Sequence, residues 1–171
     1  MAMWNPEGDI GDVEEWERNQ LGFIYLARKR RLNSAGYGEH RGGTGYAHVA
    51  IFYGSINNVI QNLNMSRIFV TTGLYGGYPN ASAYTLIARG VDFEGLIKEK
   101  KRKYPISDNP DEPEFEKYLR NYVKYLERLD YSTHFPRQMD EYDIVYFKQN
   151  GGPGYGDPLD RTLELCERDL N

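Results

Sequence analysis

Short runs of apolar residues, separated by glycine-rich stretches, dominate the pattern of hydrophobic and polar positions along the chain. Runs that are rich in β-branched and aromatic residues predict strands at residues 23–32, 46–53, 67–72, 82–89 and 143–148. Residues 57–65 have apolar side chains at helical spacing, but they also fit a strand or a turn. The pattern predicts a β-rich scaffold in which glycine-rich loops form an irregular face.

Helical patterns are fewer than strand patterns. Short helices are predicted at residues 12–17 and 93–103, and another in the tail at 161–168. The longest is predicted at residues 114–129, where apolar side chains recur at three- and four-residue steps: Phe115, Leu119, Tyr122, Leu126 and Leu129. The predicted fold class is therefore α+β. It is β-rich, with glycine-rich loops and one long amphipathic helix near the C-terminal third.

The composition favours a chain that packs against another protein. The 171 residues are enough for one core, and we take residues 1–171 as a single domain-sized piece. Tyrosine is abundant, with 15 residues, although the mean hydropathy is low at −0.71. Because tyrosine joins an apolar ring to a polar hydroxyl, this composition suits a chain that covers a partner, and a tyrosine-rich independent domain is the alternative.

Charge and cysteine content argue against several classes of protein. The formal net charge of −4 argues against a dedicated nucleic-acid binder. The single Cys166 excludes an intrachain disulfide framework and a multi-cysteine zinc site. The sequence shows no apolar run of membrane-spanning length and no signal-peptide pattern, so we expect a cytoplasmic chain without a membrane partner.

The chain is organised around Gly151-Gly-Pro-Gly-Tyr-Gly-Asp-Pro158, between a strand-like run and a helix-like tail. A strand, a glycine-rich turn and a helix N-terminus can hold an anion. The spacing is not that of a Walker-type nucleotide loop, and no lysine follows it. A tight structural loop is the favoured interpretation, because glycines most often simply form turns.

Few side chains in these loops have the chemistry of a site. His40 and Arg41 are candidates because a histidine can exchange a proton and an arginine can hold a carboxylate or phosphate, although local pairing of both is the favoured interpretation. Asp157 either caps the following helix or orients a reacting group, and we favour the cap. His48 is expected to be a hydrogen-bonded sheet histidine. No nucleophile–base pair or metal-ligand cluster is found, and no residue of the chain is assigned to a metal.

Four segments resemble one protein family. Gly-Gly-Pro-Gly-Tyr-Gly-Asp-Pro-Leu-Asp-Arg at 151–161 resembles the C-terminal signature of the hydantoinase B family, which includes the α subunits of acetone carboxylases. Ser-Ala-Gly-Tyr-Gly-Glu-His-Arg-Gly-Gly-Thr-Gly at 34–45 looks like that family's upstream glycine-rich segment. The segments at 5–13 and 76–84 are similar to the acetone carboxylase branch. All four stand in the family's order and cover the chain almost end to end.

The resemblance implies part of an enzyme complex. Acetone carboxylase-like enzymes join a ketone to bicarbonate with ATP, using a hydantoinase B-like α subunit, a hydantoinase A-like β subunit and a small γ-type subunit. The chain resembles only the C-terminal part of the α subunit. ATP, Mg and a transition metal such as Mn are therefore expected on other segments, and no cofactor is expected on this chain alone.

The glycine-rich loops supply the candidate residues, and the resemblance supplies the alternatives for the function. Candidate ligand-facing loop residues are His40, Arg41, Tyr155 and Asp157. The glycines expected to be structural are Gly42, Gly43, Gly45, Gly151, Gly152, Gly154 and Gly156. We expect a split α subunit or a fragment of one, inactive alone, that completes the α fold around the active site. The alternatives are a component of an ATP-dependent hydantoinase or oxoprolinase, and a non-catalytic assembly module.

Overall fold

The computed structural model describes residues 17, 22–54, 57–61, 70–98, 120–129 and 136–170. Within these ranges the strands are β1 (Phe23–Arg30), β2 (Tyr46–Phe52), β3 (Asn58–Ile60), β4 (Tyr84–Arg89), β5 (Tyr125–Leu129), β6 (Arg137–Met139) and β7 (Ile144–Lys148). The helices in the same ranges are α1 (Phe93–Lys98), a 3₁₀ turn (Pro158–Asp160) and α2 (Leu163–Leu170).

The described strands form one large antiparallel sheet and one small ribbon. The sheet has the order β1-β2-β7-β4-β5, and β3 pairs with β6 in the ribbon. Ala47 of β2 lies opposite Lys148 of β7, which in turn lies opposite Tyr84 of β4. This register brings the start of β2, the end of β7 and the start of β4 to one end of the sheet.

The buried residues that the structure describes form two hydrophobic clusters, one on each side of the sheet. Two sides are filled because successive strand residues point to opposite faces. Leu86, Ile144 and Tyr146 belong to one cluster, whereas the neighbouring Ile87 and Val145 belong to the other. Ile60 and Met139 of the ribbon pack into the second cluster. Each large aliphatic side chain buried in this way contributes about 1.5–3 kcal/mol.

A buried carboxylate fixes the turn between β6 and β7. Asp143 is fully buried and accepts from Gly90 N at 3.0 Å, Asp140 N at 3.0 Å and Arg89 Nη1 at 3.2 Å. Arg89 also pairs with Glu127 of β5 at 3.4 Å. Because the carboxylate is hydrogen-bonded as well as paired, its burial is tolerated.

The β-rich prediction is confirmed, and four predicted strands are observed with slightly shorter bounds, as β1, β2, β4 and β7. Helical predictions at 93–103 and 161–168 are confirmed in the described residues by α1 and α2. The ambiguous stretch at 57–65 contains β3, and residues 62–65 lie outside the described residues.

The long helix predicted at 114–129 is wrong over its last residues, which form β5, while residues 114–119 lie outside the described part of the chain. Leu126 packs against the first cluster and Leu129 belongs to the second. Their spacing of three, typical of one helix face, places them on opposite faces of a strand. Pairing with β4, which sets Thr85 opposite Leu129, decides between the two structures.

The strand predicted at 67–72 is also wrong where it can be seen, since residues 70–72 lie in no strand. The chain there leads into Leu74, which pairs with Tyr155 instead. Residues 67–69 and residues 12–16 of the helix predicted at 12–17 lie outside the described residues, whereas Glu17 is helical. Of the helices that the structure describes, none is long and apolar enough to cross a membrane.

Candidate functional site

Three glycine-rich segments meet at the end of the sheet where β2, β7 and β4 align. We call residues 34–45, 73–80 and 151–157 together the glycine platform. The first segment joins β1 to β2, the second precedes β4, and the third follows β7. Their meeting is therefore a consequence of the strand order.

Backbone hydrogen bonds join the first and third segments. His40 N donates to Tyr155 O at 2.9 Å, and Tyr155 N donates back to His40 O at 3.0 Å. Further along, Gly36 N donates to Gly152 O at 2.9 Å and Gly152 N to Gly43 O at 2.8 Å. These bonds resemble a short sheet ladder made of residues that form no regular strand.

The second segment is tied to the other two in the same way. Leu74 N donates to Gly154 O at 3.1 Å, and Gly156 N donates to Leu74 O at 3.0 Å. Tyr78 of the second segment bonds to both of the others. Its N–H donates to Tyr37 O of the first segment at 2.7 Å, and its carbonyl accepts from Gly154 N of the third at 2.9 Å. Many backbone groups of the platform are thus paired within it, as irregular chain requires where it is buried.

Close backbone approach explains most of the glycines. A Cβ on Gly154 would overlap the carbonyl oxygen of Tyr37, and one on Gly42 would overlap Gly152 O. On Gly151 it would lie 2.6 Å from Gly43 O, and on Gly45 it would lie 2.5 Å from Gln149 O. The same atom on Gly152 would be 3.2 Å from Gly43 N, whereas Gly43 has open space.

Gly156 is needed for a different reason. Its φ is +75°, in the left-handed region that residues with a Cβ adopt at a cost. Gly154 is not among the described glycines with positive φ, so space alone requires glycine there.

Two of the candidate ligand-facing residues lie side by side. The rings of His40 and Tyr155 are 6.2 Å apart between centroids, and the Tyr75 ring is 5.2 Å from that of Tyr155. His40 Nε2 is 3.8 Å from the carboxylate of Glu39, which is too long for a hydrogen bond. The pair is solvent-exposed, with side-chain exposures of 63% and 40%, so its attraction is weak.

Arg41, the third candidate, is engaged with helix α2. Its guanidinium is 3.2 Å from Asp169 and lies 5.0 Å from the centre of the Tyr37 ring. Arg161 holds the same carboxylate at 2.8 Å and donates to Glu39 O at 2.6 Å. Partial burial acts to raise the pKa of Asp169, but the hydrogen bonds and charges of Arg41 and Arg161 outweigh it and lower that pKa.

Asp157, the fourth candidate, caps the 3₁₀ turn. Its Oδ1 accepts from Leu159 N at 2.9 Å, and Pro158 occupies the first position of the turn. This is the capping geometry expected of an Asp that precedes a helix.

The oxygen and nitrogen ligands of the platform do not fit a metal ion. Asp157 is used in a cap, and two guanidinium groups beside Asp169 would repel a cation. Within the described ranges, no group of three or more His, Cys, Asp or Glu residues could hold a metal.

His48 lies in the sheet, away from the platform, and differs from the expectation. Its Nδ1 is buried and has no hydrogen-bond partner among the described residues. The ring lies 4.6 Å from that of Phe147 and 6.1 Å from that of Tyr46. Burial, the larger cause, and the positive charge of Arg28 together lower the pKa of His48 to about 4.

Sequence reasoning did not single out Arg161, Asp169 or Tyr75. Arg161 closes the glycine-rich signature, so its position was a usable signal. Asp169 is one of several charged residues in the C-terminal helix, and no feature of the sequence distinguishes it from the others. Tyr75 has φ +53°, an uncommon conformation for an aromatic residue that no sequence pattern indicated.

Comparison with known proteins defines the class. The model of the hydantoinase B/oxoprolinase family matches residues 1–158, and the chain therefore belongs to this family. It is 31% identical over 172 residues to the acetone carboxylase alpha subunit of Xanthobacter autotrophicus, covering 99% of this chain and 22% of that protein.

A solved structure gives the same result in three dimensions. The nucleotide-free structure of acetone carboxylase, from work on the mechanism of ATP-dependent acetone carboxylation, has a TM-score of 0.76 and 29% identity. The match covers 98% of this chain and 22% of that one. The chain therefore spans 22% of the length of the relatives it matches.

Proposed function

We propose that this chain is the C-terminal portion of the α subunit of an ATP-dependent acetone or ketone carboxylase complex, as a split subunit or a fragment. Residues 1–171 act as one domain-sized piece that completes the α fold around the active site. The observation that supports this most is the match of nearly the whole chain to one acetone carboxylase at TM-score 0.76.

The platform supports a scaffolding role within that complex. Its backbone groups bond to one another, and Arg41 and Asp157 are engaged in an ion pair and a cap. Such residues hold a surface in place and leave the bond-making groups to another part of the enzyme. His40 and Tyr155 remain the candidates to line a cavity, because both are exposed and adjacent.

The rest of the complex is proposed from the same relationship. The partners are the remaining part of the hydantoinase B-like α subunit, a hydantoinase A-like β subunit and a small γ-type subunit. The substrates are a ketone and bicarbonate. ATP, Mg and a transition metal such as Mn are proposed to bind to those other segments. The metal would polarise or position a reacting oxygen.

A second candidate is a component of an ATP-dependent hydantoinase or oxoprolinase, because the family is described by both names. Such a complex would open a cyclic amide and would not consume bicarbonate. The reactions therefore differ in a co-substrate that can be removed from the assay.

The test is to purify the chain with its partners from cells that naturally make it, and to identify each subunit and metal. The proposal expects ATP hydrolysis that depends on both acetone and bicarbonate. Lactam opening without bicarbonate would establish the second candidate instead. A purified complex without any other hydantoinase-like polypeptide would contradict both.

A further inference from the structure

The glycine platform displays a group of exposed apolar side chains. We call Leu74, Tyr75, Tyr155 and His40 together the aromatic cluster. Tyr75 is 79% exposed, Leu74 60% and Tyr155 48%. The Tyr155 ring contacts both Tyr75 and His40, and Leu74 pairs with Tyr155 through the backbone. Contiguous exposed apolar groups of this kind are typical of interaction surfaces.

The backbone beneath the cluster is held firmly. The backbone of Leu74 is hydrogen-bonded to the third platform segment, and the backbone of Tyr155 is hydrogen-bonded to His40 of the first. Tyr75 sits at φ +53° between them, and such a conformation is retained by an aromatic residue only where its surroundings determine it. A rigid aromatic side chain loses little entropy on binding and therefore makes an effective anchor.

Charge around the cluster selects the chemistry of its occupant. Arg41, which follows His40 in the chain, is paired with Asp169, and Glu39 lies 3.8 Å from His40. The surface is thus neither strongly basic nor strongly acidic, which disfavours a phosphate-rich or polycationic ligand. Exposed tyrosine rings fit a polypeptide surface that offers apolar pockets and carbonyl acceptors.

The size of the relatives points to the occupant. This chain spans 22% of the acetone carboxylase alpha subunit, so the larger part of that protein must contact the equivalent unit somewhere. We propose that the aromatic cluster is the docking site for the remaining, upstream part of the hydantoinase B-like polypeptide. This inference rests on the proposed function, since it assumes that such a polypeptide is present in the complex.

The experiment maps contacts in the native complex by photo-crosslinking. The full chain is produced in cells that naturally make it, with p-benzoylphenylalanine replacing Tyr75 in one sample. In a matched sample it replaces Tyr125, which is 59% exposed on β5. We expect position 75, and not position 125, to crosslink to a polypeptide whose sequence aligns with the upstream part of the alpha subunit.

A paired substitution separates docking from folding. Tyr75→Asn removes the ring, and Asn tolerates the left-handed conformation better than tyrosine does. The melting temperature of the chain should stay unchanged or rise, while the dissociation constant of the purified complex should increase about tenfold or more. Tyr125→Thr, which keeps strand propensity, should leave that dissociation constant unchanged.

The possible outcomes distinguish a failure of the docking inference from a failure of the proposed function. If position 125 crosslinks to the upstream polypeptide and position 75 does not, the docking inference is wrong and the proposed function stands. If position 75 crosslinks to a second copy of this chain or to a hydantoinase A-like subunit, the inference is likewise overturned. If no hydantoinase B-like polypeptide is present in the complex, the proposed function fails and the inference fails with it.

Discussion

The sheet and the glycine platform are held together by different atoms. In the sheet, side chains such as Leu86, Ile87 and Val145 fill the space between elements and are fully buried. In the platform, backbone meets backbone: the Tyr37 carbonyl lies where a side chain of Gly154 would be. The sheet is stabilised by packing of its buried side chains. The platform is stabilised by backbone contacts that are possible only because glycine has no side chain.

This difference predicts opposite responses to a change of one carbon atom. The core loses van der Waals contact and buried area when a methyl group is removed. The close-packed glycines of the platform, such as Gly154, have no room for an added methyl group, and the carbonyl groups that they meet cannot rotate away as a flexible side chain would. Adding a carbon to the platform should therefore be more harmful than removing one from the core.

The largest effect is expected from Gly154→Ala. Its new Cβ would overlap the carbonyl carbon and oxygen of Tyr37, so the hydrogen bonds of Gly154 to Tyr78 and Leu74 must be distorted. We expect a loss of about 3 kcal/mol or more in the free energy of unfolding. Thermal and urea denaturation of the chain measure it.

Gly43→Ala is the matched control in the same platform. A Cβ there meets nothing within 4 Å, and its φ is not positive. Its effect should lie between neutral and a stabilisation of about 0.4–1 kcal/mol, because alanine restricts the unfolded chain. Equal losses for Gly154→Ala and Gly43→Ala would contradict the close backbone packing of the platform.

The sequence predicted the two regions unequally. Strands such as β4 and β7 were predictable because β-branched and aromatic runs carry the signal in their side chains. The error at β5 arose because Leu126 and Leu129 have a spacing that fits either a helix face or the two faces of a strand. Only the partner strand, which lies far away along the chain, decides between the two.

The platform shows a different limit of sequence reasoning. The glycines themselves were visible, and so was the capping role of Asp157. Which segment meets which was not, because backbone–backbone contacts leave no side-chain pattern that could be matched between segments. Arg41 and Arg161 both pair with Asp169. Because Arg41 is more than a hundred positions away from the other two along the chain, no local pattern reveals this interaction.

A pH-dependent effect is expected from the sheet. The pKa of His48 falls from 6.5 to about 4 in the folded chain. Between pH 6.5 and about 4, His48 therefore binds a proton in the unfolded chain but stays neutral in the folded chain. This stability is present above pH 6.5 and is lost as the pH falls to about 4, by at most about 3 kcal/mol at 1.36 kcal/mol per pKa unit.

The variant His48→Phe isolates this contribution. Phenylalanine keeps an aromatic ring beside Phe147 and removes the buried nitrogen that lacks a partner in the described structure. Denaturation between pH 4 and 7 should show a shallower loss of stability than in the unchanged chain. An identical slope in both proteins would show that His48 titrates normally in the folded state.

A smaller loss is expected from Ile87→Val, which removes one methyl group from the core. Ile87 is fully buried in the second cluster. The free energy of unfolding should fall by about 0.5–1.5 kcal/mol. Measured beside Gly154→Ala, a larger loss for Ile87→Val would reverse the order that distinguishes the two regions.

The smallest effect is expected from Asp157→Asn. Asparagine caps helices as well as aspartate does, so the hydrogen bond from Leu159 N can be kept, and stability should change by less than about 0.5 kcal/mol. Asp157→Ala, which removes the cap, should lose about 1 kcal/mol. A normally assembled Asp157→Asn complex with activity reduced about a hundredfold would instead assign this carboxylate to catalysis.

Hydrogen exchange of the platform amides tests most directly whether this irregular region is as firmly held as the sheet. The amides of His40, Leu74, Gly154 and Tyr155 are all bonded to other platform segments, although none lies in a strand. We expect them to exchange as slowly as the amides of β4, through unfolding of the same cooperative unit. Exchange of these amides at the rate of open loops, while β4 remains protected, would contradict a platform locked by its own backbone.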